Sequence, residues 1–414
     1  MKGLSHTRIL CAFLPIIASA CDPLVGAPCE DSVPALSEVR VPAEFDAWPN
    51  DMEVAADGGY ILAGYTAGQA RPLFDDAAYE SYLRSLDSFF VKTDKNGTVE
   101  WTTKIAGSAT GQASSIQPTI DGGYVYAGTI GALVTDPKSF EPTDISVGKI
   151  DSNGEAVWER LLDGERFAVG RAICVNPDNS FVVAGTTRQD AAYDDVLVIK
   201  FDADGGETWR RRLSAGFNLG VQDIIPTDDG GYAIAGYTDT PSDAAYADDV
   251  YVAVLDASGN TLWDFRAGNH IAFGAFRYGE GIVQTRDGGF AVAGRTFEDL
   301  FVVKLDRSGN FLWAERAPGA PHARGYDIIE LADGSLVAAG DSFAYNFLGI
   351  PACNRMYVVC IGENGGIRWD ERVSETAEHA FALVEGNSGE VVLAGPGANG
   401  LVYAFSLVTV NVNR

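Results

Sequence analysis

The sequence predicts an all-β chain of repeated four-stranded units closed into a ring, and three observations carry that expectation. One phrase, Asp-Gly-Gly-Tyr leading to Ala-Gly, occurs in seven copies of varying fidelity. A second phrase, Asp-x-x-Gly-x-x-x-Trp, falls between those copies. The step from each Trp to the next unit's Asp is 20 residues four times and 24 once, and from Trp369 to Ser388 it is 19.

The first phrase begins as Asp57-Gly58-Gly59-Tyr60-Ile61-Leu62-Ala63-Gly64 and returns at Asp121, Asp178, Asp229, Asp287 and Asp333. A weaker copy, Ser388-Gly389-Glu390, ends in Ala394-Gly395, and successive copies lie 46 to 64 residues apart. The second phrase carries Trp101, Trp158, Trp209, Trp263, Trp313 and Trp369, the last with Gly362 in place of the Asp. Alternating β-rich runs such as Phe301-Val302-Val303-Lys304-Leu305 lie between the phrases. Strand one therefore precedes the Asp-Gly-Gly turn and strand two runs to the Ala-Gly. Strand three ends at the Asp-x-x-Gly turn and strand four carries the Trp. Asp-Gly between β runs signals a hairpin, because tight primed turns need positive φ. The Trp supplies a large apolar body at a fixed place, as packing between stacked sheets requires.

Repeats of this size imply a ring or array of like units. Seven four-stranded units fit a seven-bladed β-propeller over residues 36–414. The seventh unit has no Trp phrase after it. Counting 20 residues back from Asp57 reaches Ser37, within the β-capable run Leu36–Val41. The last blade is thus expected to be closed by the N-terminal strand, which hides the edge strands of the ring. Six or eight blades, or an open array, are the competing arrangements, and the tail 401–412 is a second source for the closing strand.

At these phrases the chain resembles bacterial β-propeller repeat proteins built on DGGYIVAG and VKLDxxGNxxW. The likeness spans roughly residues 36–407 and is densest over Phe301–Trp313, FVVKLDRSGNFLW. The seventh unit departs from it, lacking both the Asp-Gly-Gly and the Trp. The resemblance implies an extracellular or envelope scaffold without an assigned reaction, since a fold does not fix a function.

Residues 1–20 read as a secretory signal: Lys2 and Arg8, an apolar run from Ile9 to Ile17, then Ala18-Ser19-Ala20. Two processing routes are open. Ordinary cleavage after Ala20 would release a secreted or periplasmic soluble protein. Ala18-Ser19-Ala20-Cys21 also resembles a lipobox, with Ala18 where Leu is usual, and would make Cys21 a lipidated anchor to the membrane of a bacterial cell envelope. Residues 21–35 then form a short tether. With Cys21 lipidated, Cys29 sits just before the closing strand and Cys353 in a long loop of blade 6. A disulfide between them would staple the closure in an oxidising compartment. Cys21–Cys29 is the alternative if lipidation fails. Cys174 and Cys360 fall in strand runs and read as small buried hydrophobes.

The net charge is −27, and −29 once residues 1–20 are removed. Such a surface repels phosphate backbones, so no nucleic acid partner is expected. Inter-blade loops and the loops between strands two and three share one face, which is the expected binding face. Those second loops run long in blade 1 (Tyr65–Leu86), blade 4 (Tyr237–Asp248) and blade 6 (Asp341–Asn354). Three loops repeat an acidic phrase, at Asp75-Asp76, at Asp190 with Asp194 and Asp195, and at Asp243 with Asp248 and Asp249. Oxygen clusters suit Ca²⁺, but none has the alternating spacing of a dedicated calcium loop. Solvated acidic loops without a cofactor are the expectation, with Asp190, Asp194, Asp195, Asp243, Asp248 and Asp249 as the metal candidates.

A further Asp stands seven residues before each turn Asp in five blades: Asp87, Asp144, Asp195, Asp249 and Asp299. Its recurrence points to a structural job, such as accepting backbone N–H groups at a loop corner. Lys92, Lys149, Lys200 and Lys304 recur as well and are expected to make exposed outer-face pairs of little energetic weight. His270, His322 and His379 lie at non-equivalent places in inter-blade connections and read as ordinary surface histidines. No nucleophile elbow, zinc-protease helix or phosphate-cradling loop is present, and no catalytic residue is assigned. The expected function is a non-catalytic, membrane-anchored scaffold that binds an envelope protein or polysaccharide. The alternative is a propeller hydrolase or lyase acting on a glycan or other envelope polymer, with acids at the channel mouth.

Overall fold

The computed structural model describes residues 37–41, 47–67, 85–105, 111–131, 143–162, 167–188, 193–240, 247–268, 277–296, 298–317, 322–345, 351–373, 377–386, 390–398 and 403–412. They form seven four-stranded antiparallel sheets, with no α-helix among them. The seven first strands are Ala47–Val54, Gly111–Pro118, Val169–Val175, Leu219–Pro226, Tyr278–Gln284, Ala323–Glu330 and Ala382–Glu385. Each touches the next, and the last touches the first, so the sheets form a closed ring of seven blades. Blade 7 is ordered Ala382–Glu385, Glu390–Ala398, Tyr403–Asn411 and, outermost, Ser37–Val41. The N-terminal strand closes the ring as the spacing predicts, with Ser37 opposite Thr409 and Val41 opposite Phe405.

The core is cut into slices rather than gathered at one centre. Seven apolar clusters each draw on two neighbouring blades. Leu197 and Phe181 of blade 3, for example, meet Val125 and Val147 of blade 2. The repeated phrases build these junctions. Trp101 stands edge-on to Tyr124 of the next blade at 6.0 Å, Trp209 to Tyr232 at 6.1 Å and Trp263 to Phe290 at 5.6 Å. Each indole also covers the turn glycine of the next blade. A Cβ added at Gly154, Gly205, Gly259, Gly309 or Gly365 would stand 2.6–2.9 Å from Trp101, Trp158, Trp209, Trp263 or Trp313 respectively. The Asp-x-x-Gly of one unit is therefore the floor for the Trp of the unit before it.

The turns differ in one respect from expectation. They are not two-residue primed turns but three-residue loops with a single left-handed residue at the end. In the first, the Gly58 N–H donates to the Ala55 carbonyl and the Ala55 N–H to the Gly59 carbonyl, with φ of Gly58 at 80°. Blade 3 puts Asn179 in that place, at φ 66°, consistent with the tolerance of Asn for this region. The recurring lysine is not an exposed outer-face group either. Lys92 is 3% exposed and joins Asp57 at 2.7 Å, Glu100 at 2.8 Å and the Thr93 carbonyl at 2.8 Å. Lys304 repeats the pairing with Asp287 at 2.9 Å. In blades 1 and 5 the lysine is thus a buried tie to the acid of its own Asp-Gly-Gly turn.

The Asp that opens strand three has a structural task, met chiefly by side-chain cations. Asp87 pairs with Lys104 at 2.6 Å, Asp299 with Arg316 at 3.3 Å and Asp249 with Arg277 at 3.1 Å. Strands two and three of blades 4 and 6 also run further than expected. Thr240 still pairs with Ala247, and Ala344 with Cys353. Most of what reads as loop in blade 6 is therefore hairpin, and residue 353 lies on a strand rather than in a loop. Cys21, Cys29 and the side chain of Cys353 lie outside the described residues. Cys174 and Cys360 are buried, as expected.

Around the axis, six of the seven first strands carry a bulge. In blades 1, 4 and 6 the residue after the bulge is an aspartate. Asp51, Asp223 and Asp327 each accept an N–H from the first strand of the following blade, from Ile116 at 2.8 Å, Ile282 at 2.9 Å and Leu383 at 2.8 Å. Each also accepts the N–H of its own successor, Met52, Ile224 or Ile328. Ser115 takes the same place in blade 2, donating to Asp51 at 2.8 Å. Gly281 takes it in blade 5, where a Cβ would stand 2.8 Å from the Asp327 Cα. Burial pushes Asp223 up to about 6 and Asp327 up to about 8, against the lowering effect of their N–H donors. Glu53 is held well above its ordinary value by burial and by the charges of Asp51, Asp327 and Asp223.

Three outcomes follow for stability. Gly230 and Gly309 share φ 82°, but a Cβ at Gly230 meets nothing within 4 Å whereas one at Gly309 meets the Trp263 ring at 2.6 Å. Gly230→Ala should cost about 1–2 kcal/mol from the left-handed backbone alone, and Gly309→Ala roughly 2–4 kcal/mol with overpacking added. Equal costs in urea melts would refute the indole-on-glycine junction. Removing residues 22–44 exposes the edge Tyr403–Asn411 and should lower the melting temperature by at least several degrees, whereas an unchanged melt contradicts closure by the N-terminal strand. Finally, raised carboxyl pKa values mean that the folded chain holds protons the unfolded chain has released. Their stabilising contribution is full below about pH 4 and is lost as pH rises through 6 to 8. Asp121 and Asp287, held at about 2, act in the opposite sense at acid pH, losing their contribution as pH falls from about 4 to 2. The melting temperature should therefore peak near pH 4 and decline towards pH 8. Asp327→Asn should be less stable at pH 5, by about 1–3 kcal/mol for one lost acceptor, yet decline less towards pH 9 than the parent.

Candidate functional site

First strands begin, and second strands end, on the loop face. The residue directly after each Ala-Gly therefore lies at the channel mouth beside the start of its own first strand: Tyr237 opposite Gly220, Arg295 opposite Tyr278, Asp341 opposite Arg324. The repeat is uniform up to the glycine and diverges one residue later. This position was the available signal in the sequence, and it gathers a polar and aromatic cluster over blades 4 to 7.

The cluster is densest between blades 6 and 7. Asp341, on strand two, is 1% exposed and accepts a 2.7 Å bond from His379 Nδ1. Asn354, on strand three, places its amide nitrogen 2.9 Å from His379 Nε2. A neutral imidazole protonated on Nδ1 satisfies both contacts, donating to Asp341 and accepting from Asn354. His379 comes from the connection into blade 7, whose Ala380 N–H donates back to the Gly340 carbonyl of blade 6 at 3.1 Å. The imidazole lies parallel to Phe381 at 5.2 Å, and Phe381 meets Tyr326 edge-on at 5.1 Å. His379 is therefore not an ordinary surface histidine. His322 stacks on Phe343 at 5.2 Å, and the Arg324 guanidinium lies 4.7 Å over the same ring. His270 lies outside the described residues.

Blades 4 and 5 continue the arc. Arg295 donates to Glu280 at 2.6 Å and lies 4.6 Å over Tyr278. Burial works against the Arg295 charge, but Glu280, Tyr326 and Tyr278 outweigh it and raise its pKa. The Tyr278 ring meets Tyr237 at 5.1 Å and its hydroxyl donates to Asp248. Burial raises Asp248 and pushes Tyr237 up to about 12, so the phenol stays protonated.

Of the acidic-loop candidates, Asp194 is bound by Arg188 through two bonds of 2.7 and 2.9 Å. Asp195 faces Arg212 at 3.5 Å, Asp248 accepts from Tyr278 and Asp249 pairs with Arg277. Asp190 and Asp243 lie outside the described residues. Among the described residues, no group of three His, Cys, Asp or Glu is placed to hold a metal ion. Both nitrogens of His379 are occupied, Arg295 is committed to Glu280, and the tyrosines stand as aromatic walls.

Solved structures share the architecture. The WD40 domain of Neurospora crassa Pan2 is 11% identical, with 91% of this chain and 95% of that chain covered at a TM-score of 0.52. A protein of unknown function from Dyadobacter fermentans is 10% identical, with 91% and 98% covered at a TM-score of 0.52. At such identities the likeness concerns the fold alone. No curated protein matches the chain in sequence. The profile of the family described as outer membrane protein assembly factor BamB matches residues 143–349, from strand three of blade 2 into blade 6 and across half of the sequence. With that share matched, the chain belongs to the family of the outer membrane protein assembly factor BamB.

Proposed function

We propose that the chain is an exported envelope scaffold, anchored by a lipid on Cys21, that binds a partner protein through its loop face and catalyses no reaction of its own. The observation that carries this reading is the family membership across half of the chain, whose description concerns assembly at the outer membrane. Two further features support it. The segment Ala18-Ser19-Ala20-Cys21 follows a charged start and a short apolar run, as an exported lipoprotein requires. At the mouth, the titratable side chains bond mainly to one another, which suits recognition by a preformed surface. The acidic surface favours a cationic partner face, and such attraction weakens with salt. A disulfide between Cys29 and Cys353 would brace the closing blade against the same compartment's stresses. No cofactor is assigned to the scaffold, and a Ca²⁺ bridge through the acidic loops is the alternative that the EDTA test addresses.

Cys21→Ser should move the protein from the membrane to the soluble fraction of intact cells. Cross-linked pull-down with wild-type protein should retain a discrete envelope partner, and shortening the loops at 68–84 and 241–246 should reduce its recovery. EDTA should reduce recovery only if a Ca²⁺ bridge operates. Unchanged recovery after loop shortening rejects the loop face as the contact. Turnover of a glycan that a single mouth substitution abolishes would replace the scaffold reading with an enzymatic one.

A further inference from the structure

We propose that the cleft between blades 5 and 6, on the face of the ring opposite the loops, is a binding site for one neutral sugar unit. It lies across the ring from the loop face and stands apart from the scaffold reading.

The cleft exists because one repeat position is filled differently. The aromatic residue of the Asp-Gly-Gly phrase, at Tyr124, Phe181, Tyr232 and Phe290, packs against the Trp of the blade before it at 5.6–6.3 Å. In blade 4 that ring also covers the strand-three lysine of blade 3, with Lys200 Nζ 5.7 Å from the Tyr232 ring centre. Blade 6 carries Leu336 instead. Leu336 shares the apolar cluster on which Trp313 packs, but its side chain is smaller than an aromatic ring. A cavity of about 270 Å³ opens between the first turns of the two blades. Ligand pockets begin at about 300 Å³, so this one suits a single pyranose ring. Its rim faces solvent, because the side chains of Arg286, Asp287 and Asp333 are each more than half exposed. Lys304 and Leu336, at its floor, are buried. A solute therefore enters from water and meets groups held by the sheets.

The lining carries both signs of charge, in pairs. Lys304 donates to Asp287 at 2.9 Å, and the Arg286 N–H donates to Glu330 at 2.9 Å. The Arg286 guanidinium bonds the Ala332 carbonyl, which leaves donors of its fork facing the cleft. Asp333 accepts from Ser335 and Arg368, and a carboxylate has lone pairs for more. Glu363, exposed at the outer side, accepts no hydrogen bond from the described residues. An anion in this cleft would meet Asp287, Glu330, Asp333 and Glu363. A cation would meet Lys304 and Arg286. A hydroxyl donates one hydrogen bond and accepts two, so a ring of hydroxyls serves guanidinium hydrogens and carboxylate oxygens together. It brings no charge to desolvate. It also reproduces the hydrogen bonds of the water that it displaces, which an apolar group does not.

The test is saturation-transfer NMR and calorimetric titration of the full mature chain with the methyl pyranosides of glucose, galactose, mannose and N-acetylglucosamine. Glucuronate and choline serve as the charged probes. At least one neutral glycoside should bind saturably, and more tightly than either charged probe. Leu336→Tyr restores the aromatic of the other blades. It should fill the cleft and weaken that binding about tenfold or more, with a melting temperature equal to or above the parent's. Arg286→Gln, at the exposed rim, should weaken binding about tenfold for one lost charge-assisted bond. It keeps the test decisive should Leu336→Tyr melt early. A trisaccharide of the bound sugar separates two sources. Tighter binding than the single unit assigns the site to the end of a glycan, equal binding assigns it to a free sugar, and either sustains the proposal. No saturable binding by any glycoside, binding undiminished in both variants, or preference for glucuronate or choline would overturn it.

Discussion

An indole resting on the turn glycine of the following blade is the contact on which the ring depends. A propeller has no common core, because each sheet is covered only by its two neighbours. Stability is therefore a property of seven junctions, and whatever recurs in the sequence must serve a junction. Trp101, Trp158, Trp209, Trp263 and Trp313 each press on a glycine with positive φ in the next unit. The turn that needs a left-handed residue and the ring that needs an absent Cβ coincide at one position. That double demand explains why the phrase carries Gly there rather than the Asn that the first turn of blade 3 accepts at residue 179. The junction between blades 7 and 1 has no such Trp and relies on Val54, Phe89 and Val99 at its margin.

The axis is held by different chemistry. Seven first strands converge where little volume is available, and in six of them a bulge turns one residue out of register. Where that residue's successor is Asp, it reaches the N–H of the next blade and joins two sheets across a gap that backbone pairing does not span. A carboxyl group has two oxygens, one for each N–H group, where Ser and Asn have a single acceptor oxygen. The cost is charge in a confined space. Asp327 and Asp223 answer it by keeping their protons to higher pH than an exposed carboxyl would, which couples cohesion at the axis to the acidity of the compartment.

The architecture was legible because periodicity survives divergence. The 20-residue step from Trp to Asp located the blades, and carried back from Asp57 it located Ser37 in the closing strand. The lysines and the axial aspartates were not legible for the same reason. Lys92 reads as a polar residue on a strand, and nothing local says that Asp57 of one turn and Glu100 of the next strand both reach it. Asp51, Asp223 and Asp327 occur in three blades of seven, so a search for features shared by all units passes over them. Asp341, Asn354 and His379 are further still from view. They lie on two strands and a connection, 38 residues apart from first to last, and meet only because the ring brings blade 7 against blade 6.

Repetition and the proposed recognition thus occupy different positions in the same unit. Up to the glycine of Ala-Gly each residue answers to its neighbours in the ring and has little freedom. One residue later the chain has reached the mouth, where side chains face each other across blades rather than along a junction. There Tyr237, Arg295 and Asp341 can differ without disturbing any indole. A scaffold of this kind separates what must be the same from what can vary by a single step along strand two. The proposed recognition surface is consequently carried on strands rather than on loops alone. Extended hairpins in blades 4 and 6 continue those strands outward, so that Asp341 and Asn354 keep sheet geometry at the very rim. Groups held that firmly lose little entropy when a partner arrives, which favours specificity set by the pattern of donors and acceptors over contact area.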